Sequence, residues 1–136
     1  MAWYARKAEA LSGADRSAIE EEMITKFFDN RDTDVERIIA RMLLRKIERT
    51  SDQAERAALS DRLIKRYQGD VNSLVLYAVV RAMVFEAEAA EGDAAKLELY
   101  SAIINRYRDI DDYSVKKAVD EVIAAKYRLE LGLEED

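Results

Sequence analysis

A gapless repeat of forty residues constrains this chain more than any other feature. Met23-Ile24-Thr25-Lys26-Phe27, Leu63-Ile64-Lys65-Arg66-Tyr67 and Ile103-Ile104-Asn105-Arg106-Tyr107 stand in one register, each forty residues from the next. Upstream, Ile19, Leu59 and Leu99 share a column; downstream, Val35, Val75 and Val115 do, followed by Ile39, Val79 and Val119. A fixed period of this length marks a repeat architecture, in which each unit buries its apolar face only against its neighbours. Three units cover 14–53, 54–93 and 94–133. Residues 1–13 match the back half of a unit and read as an N-terminal capping helix, and 134–136 form an acidic tail.

Each unit reads as two helices. Ile19, Met23 and Phe27 recur at i, i+4 and i+8 with Ile24 beside them, and Val35, Ile39, Leu43 and Ile47 repeat the pattern. A period of 3.6 residues brings each set onto one face. Polar breaks at 29–33, 69–73 and 109–113 separate the two helices of each unit. Thr33 and Glu36 have capping-box spacing, which predicts Thr33 as the start of a second helix, with Ser73 in the same column. Between units, Ser51-Asp52 and Gly92-Asp93 supply a stop and the next N-cap. The chain contains no Pro and only 4 Gly, so few positions favour turns over helix. In the middle unit the second helix, Leu74 to Phe85, is apolar nearly all round. Such a helix is covered from both sides.

The chemistry open to this chain is narrow. It has no Cys and no His, which removes thiol catalysis, disulfides, Cys/His zinc sites and any imidazole base. No Gly-rich phosphate loop, nucleophile elbow or metal motif accompanies its carboxylates, so neither an enzyme nor a cofactor is expected. The acid-rich turns at 29–34 and 109–112 lack the Gly and terminal Glu of a calcium loop and read as helix caps. A net charge of −6 argues against nucleic acid, whose phosphates need clustered cations in a favourable field. The longest apolar run, Leu74 to Val80, is far short of the roughly 18 residues of a membrane span. With no signal-peptide core behind Met1, a cytoplasmic location is expected.

Leu97-Glu98-Leu99-Tyr100 through Ile103-Ile104-Asn105-Arg106-Tyr107, followed by Ala118, Ala124-Ala125-Lys126-Tyr127 and Leu131-Gly132, resembles the tetratricopeptide (TPR) repeat. The resemblance implies an all-α, right-handed stack of αα-hairpins, a TPR-like solenoid of about seven helices. HEAT-type pairing, with units of about 40–47 residues against about 34 for TPR, is the alternative. It also implies a scaffold or chaperone-type adaptor that grips a protein or peptide in a groove lined by first helices.

Stacked repeats turn a sequence column into a ladder in space, and Lys26, Arg66 and Arg106 form an all-basic column on the flank of the first-helix stripe. With Arg62, Lys65 and Asn105 they make a candidate clamp for an acidic or carboxylate-bearing peptide. The same side chains also suit a structural role, complementing the C-terminal end of each helix dipole and covering the core edge with their stems. A second functional expectation is self-assembly through the ends of the stack, with Trp3, Tyr4, Leu129, Leu131 and Leu133 as contacts.

Overall fold

The computed structural model describes residues 13–132, which form six α-helices: α1 (Gly13–Phe27), α2 (Thr33–Arg49), α3 (Gln53–Tyr67), α4 (Ser73–Ala89), α5 (Asp93–Tyr107) and α6 (Tyr113–Glu130). No strand occurs among the described residues. First helices begin at 13, 53 and 93 and second helices at 33, 73 and 113, the interval at which the sequence repeats. The expected capping helix with Trp3 and Tyr4, and Leu133 with the acidic tail, lie outside the described residues.

Each break is closed by the same local chemistry. The carbonyls of Phe27, Tyr67 and Tyr107 accept from the amides of Asn30, Asp70 and Ile110 at 3.0, 2.9 and 3.2 Å. The Asn30 and Asp70 side chains then accept from the amides two residues on, each at 2.8 Å. These are Asx turns, in which a short polar side chain stands in for a backbone carbonyl. The second helices are capped one residue earlier than the capping-box pattern predicts. Asp32 accepts from the amides of Asp34 and Val35, at 3.0 and 3.2 Å. Thr33 is therefore the first helical residue, because the carboxylate before it is the better-placed acceptor for the orphan amides. Asn72 and Asp112 cap α4 and α6 in the same way, and Asp52 caps α3. At the start of α5, Gly92 has φ +85° and no side chain to offer; a Cβ there would meet no atom within 4 Å, so the backbone angle alone calls for glycine.

Packing follows the columns. Met23, Leu63 and Ile103 are buried, as are Ile39, Val79 and Val119. Adjacent helices pack against each other along the chain, and α4 in addition touches both α2 and α6. It thus meets four helices, which is why an all-round apolar sequence suits it. The second helices contact one another directly, α2 with α4 and α4 with α6, whereas no such backbone approach joins the described first helices. No helix among the described residues is long and apolar enough to cross a membrane.

Candidate functional site

The basic column runs along the joints between helix pairs. Arg66 has only 10% of its side chain exposed. Its Nε donates to the Phe28 carbonyl at 2.9 Å, and one terminal nitrogen donates to the Asn30 carbonyl and to Glu36 Oε2, both at 3.3 Å. One guanidinium therefore fastens the end of α3 to the turn and second helix of the preceding pair. A fork of fixed donors does this where an ammonium would not. Arg106 repeats the tie one unit later, donating to the side chain and carbonyl of Gln68 at 3.3 and 3.4 Å. Arg62 joins Arg66 over the Phe28 ring at 4.6 and 6.0 Å and pairs with Glu21 at 3.6 Å. Lys65 instead pairs with Asp61 at 3.0 Å within its own helix. Lys26 lies over the Phe27 ring, and Asn105 is exposed. So Arg62 and Arg66 come together over Phe28, and Lys26, Lys65 and Arg106 each have contacts of their own.

Two shifted groups, Glu36 and Tyr67, lie at this joint. Burial, reinforced by the nearby Asp70 carboxyl, pushes Glu36 above the ordinary carboxylate range, with Arg66 pulling the other way. Burial raises the Tyr67 hydroxyl to about 12, and that hydroxyl has no hydrogen-bond partner. Tyr107, in the same column, donates to the Gln68 carbonyl at 3.2 Å. On the other side of the first pair, Lys46 bonds to Glu21 and holds its carboxyl below the ordinary range, while Arg49 pairs with buried Glu20 at 3.2 Å.

A broad groove of about 580 Å³ lies on the opposite layer and runs across α2 and α4 to the first turn of α6. Arg37, Arg41 and Arg45 form one wall, and Ile38, Leu74 and Tyr77 lie beside them. Leu74 is 50% exposed, although its helix is the most enclosed of the six. Arg37 makes a loose pair with Asp34 at 3.6 Å. Arg41 and Arg45 are exposed and make no hydrogen bond or ion pair with another described residue. Like charges four apart on a helix cost about 0.2–0.5 kcal/mol per pair, and this row contains two such pairs.

Tyr113, 80% exposed, and Lys117 continue the surface onto α6, where a second recess of about 220 Å³ ends at Glu121. The sequence shows these residues as a polar helix face. The signal that singles them out is the same-sign i, i+4, i+8 row on an acidic chain, together with exposed apolar residues on a helix otherwise buried.

At the C-terminal end of α6, Leu129 packs partly buried against the core, whereas Leu131 is 70% and Tyr127 62% exposed. A smaller hollow of about 180 Å³ between α3 and α4 holds Arg56 over the Phe85 ring at 4.2 Å and the buried, unpartnered Ser60 hydroxyl. Among the described residues, no three acids converge as a metal site. The chain matches no protein-family model, no curated protein and no solved structure.

Proposed function

We propose that this chain is a non-catalytic binding scaffold, a TPR-like stack of three helix pairs that takes up a partner's peptide segment in the groove over α2 and α4. The observation that carries this reading is the composition of that groove: half-exposed Leu74 and partly buried Tyr77 beside Arg41 and Arg45, whose donors have no acceptor among the described residues. Its volume of about 580 Å³ falls within the roughly 300–1,000 Å³ typical of binding clefts. Layer packing supports the same face. Second helices approach each other closely while first helices meet through side chains such as the Arg62–Glu21 pair, an arrangement that favours the second-helix face as the inner one. In this reading the first-helix cations serve as ties between units, and the second helices do the gripping.

The test is to pan immobilised full-length protein against a library of short random peptides. Enriched peptides should lose most of their binding to Leu74→Asp, a half-exposed position where circular dichroism should register no loss of helix. If no peptide is enriched above the bare support, the reading fails. The exposed Tyr127 and Leu131 favour a second reading, self-association through the end of α6. It requires an apparent mass by light scattering that rises with concentration and drops in Leu131→Glu.

A further inference from the structure

Resting on the groove reading above, we infer that its occupant is an acidic amphipathic helix, with carboxylates repeating every fourth residue along one stripe and apolar side chains on the adjoining stripe.

The row Arg37, Arg41, Arg45 lies along one helix, so its members are about 6 Å apart along the axis, four residues at about 1.5 Å each. Carboxylates at i, i+4 and i+8 of a facing helix have the same spacing. Arginine forks bond carboxylates with two parallel donors. Two of the three forks have no acceptor among the described residues, in a chain with 28 acidic residues against 22 basic ones. Arg41 has no acid three or four residues away on its helix, and Glu48, three residues after Arg45, makes no ion pair with it.

The apolar strip of Leu74 and Tyr77 runs beside this wall, on the same side of the molecule. That arrangement selects a helix over an extended strand. A strand sends successive side chains to opposite faces, so it can present its acidic row or its apolar row, not both. A helix presents two neighbouring stripes to one side. Glu48 also lines the groove, and Arg49, next in the row, is paired with Glu20; a carboxylate beside three cations disfavours a polyphosphate chain whose charges continue without interruption.

The test uses fluorescence anisotropy of labelled peptides with the full-length chain. The first peptide carries Glu at i, i+4 and i+8 with Leu on the next stripe; an isomer of equal composition has its Glu residues moved to the far face; a third has Lys in place of Glu. A single-stranded RNA oligonucleotide serves as competitor. The first peptide should bind at least tenfold more tightly than either other, weaken with salt, and lose at least tenfold in Arg41→Gln/Arg45→Gln, a pair of exposed positions whose replacement leaves helicity unchanged. Equal binding of the isomer or of the Lys peptide overturns the inference, as does full displacement by RNA at lower concentration, or no binding of the first peptide below about 1 mM. If neutral peptides from the panning still depend on Leu74 while the arginine variant binds them normally, the acidic occupant is wrong and the groove stands. If nothing depends on Leu74, the groove reading itself has failed.

Discussion

Tyr67 and Tyr107 occupy the same repeat position and are both buried, yet only Tyr107 has a hydrogen-bond acceptor for its hydroxyl. Replacing both with Phe should therefore split the column. Tyr107→Phe gives up a satisfied bond and should cost about 1 kcal/mol, whereas Tyr67→Phe removes an orphaned polar group and should be neutral or stabilising; urea midpoints of the two variants measure the difference. Arg66→Ala should cost about 3 kcal/mol, because it strips three acceptors and leaves Glu36 buried without its cation. Arg106→Ala, whose partners are exposed, should cost much less. Arg66→Glu would set a carboxylate against Glu36 and Asp70, so any loss of binding in that variant would report unfolding at the joint. The basic column was legible in the sequence as a ladder. Its use was not, because the acceptors are backbone carbonyls of the preceding turn, which no residue pattern displays.

Helix starts were legible to within a residue, since polar breaks, Asx-type side chains and the period all agree. The missed detail is at Thr33, where two adjacent residues can both cap and the geometry favours Asp32. That displacement frees Glu36 from capping and lets it turn to Arg66, where its proton becomes linked to how firmly α2 and α3 are joined. Its folded pKa lies above the ordinary carboxylate value, so this residue's contribution to stability is fully present below that value and is lost as pH rises through the folded pKa. Glu21 has the opposite sign: its lowered pKa gives stability present above the ordinary carboxylate value and lost as pH falls through the folded one. Denaturant titrations at several pH values should show the Glu36→Gln minus wild-type difference becoming more favourable to the variant as the medium turns from acid to neutral. A pH-independent difference would mean that Glu36 titrates normally. For α4, the sequence showed a buried helix, and packing qualifies this: Val79→Ala, at a fully buried position, should cost about 2–3 kcal/mol, while Leu74 on the groove side tolerates exchange.

Across the whole molecule, stability should be graded along the stack. Because α4 meets four neighbours and α1 packs only on α2 among the described helices, hydrogen exchange should be slowest in α4 and fastest in α1 and the last turn of α6; uniform protection would indicate a single cooperative unit without repeat character. The groove escaped the sequence because its walls belong to different units, and a helix face reads as solvated until a neighbour is set beside it. The joints between units have a further consequence. Arg106 ties back to Gln68 much as Arg66 ties back to Phe28 and Asn30, and α4 offers one flank to α2 and the other to α6. Residues 53–92 thus carry the backbone acceptors and the helix flank of a module that could follow itself, with Leu76 in the place of Glu36. In a second copy inserted after residue 92, Arg66 would find the Gln68 carbonyl where it now finds that of Phe28, and its second helix a flank of α4 that already receives another, so the gene could gain length in steps of forty codons, each adding one helix to the layer of α2, α4 and α6.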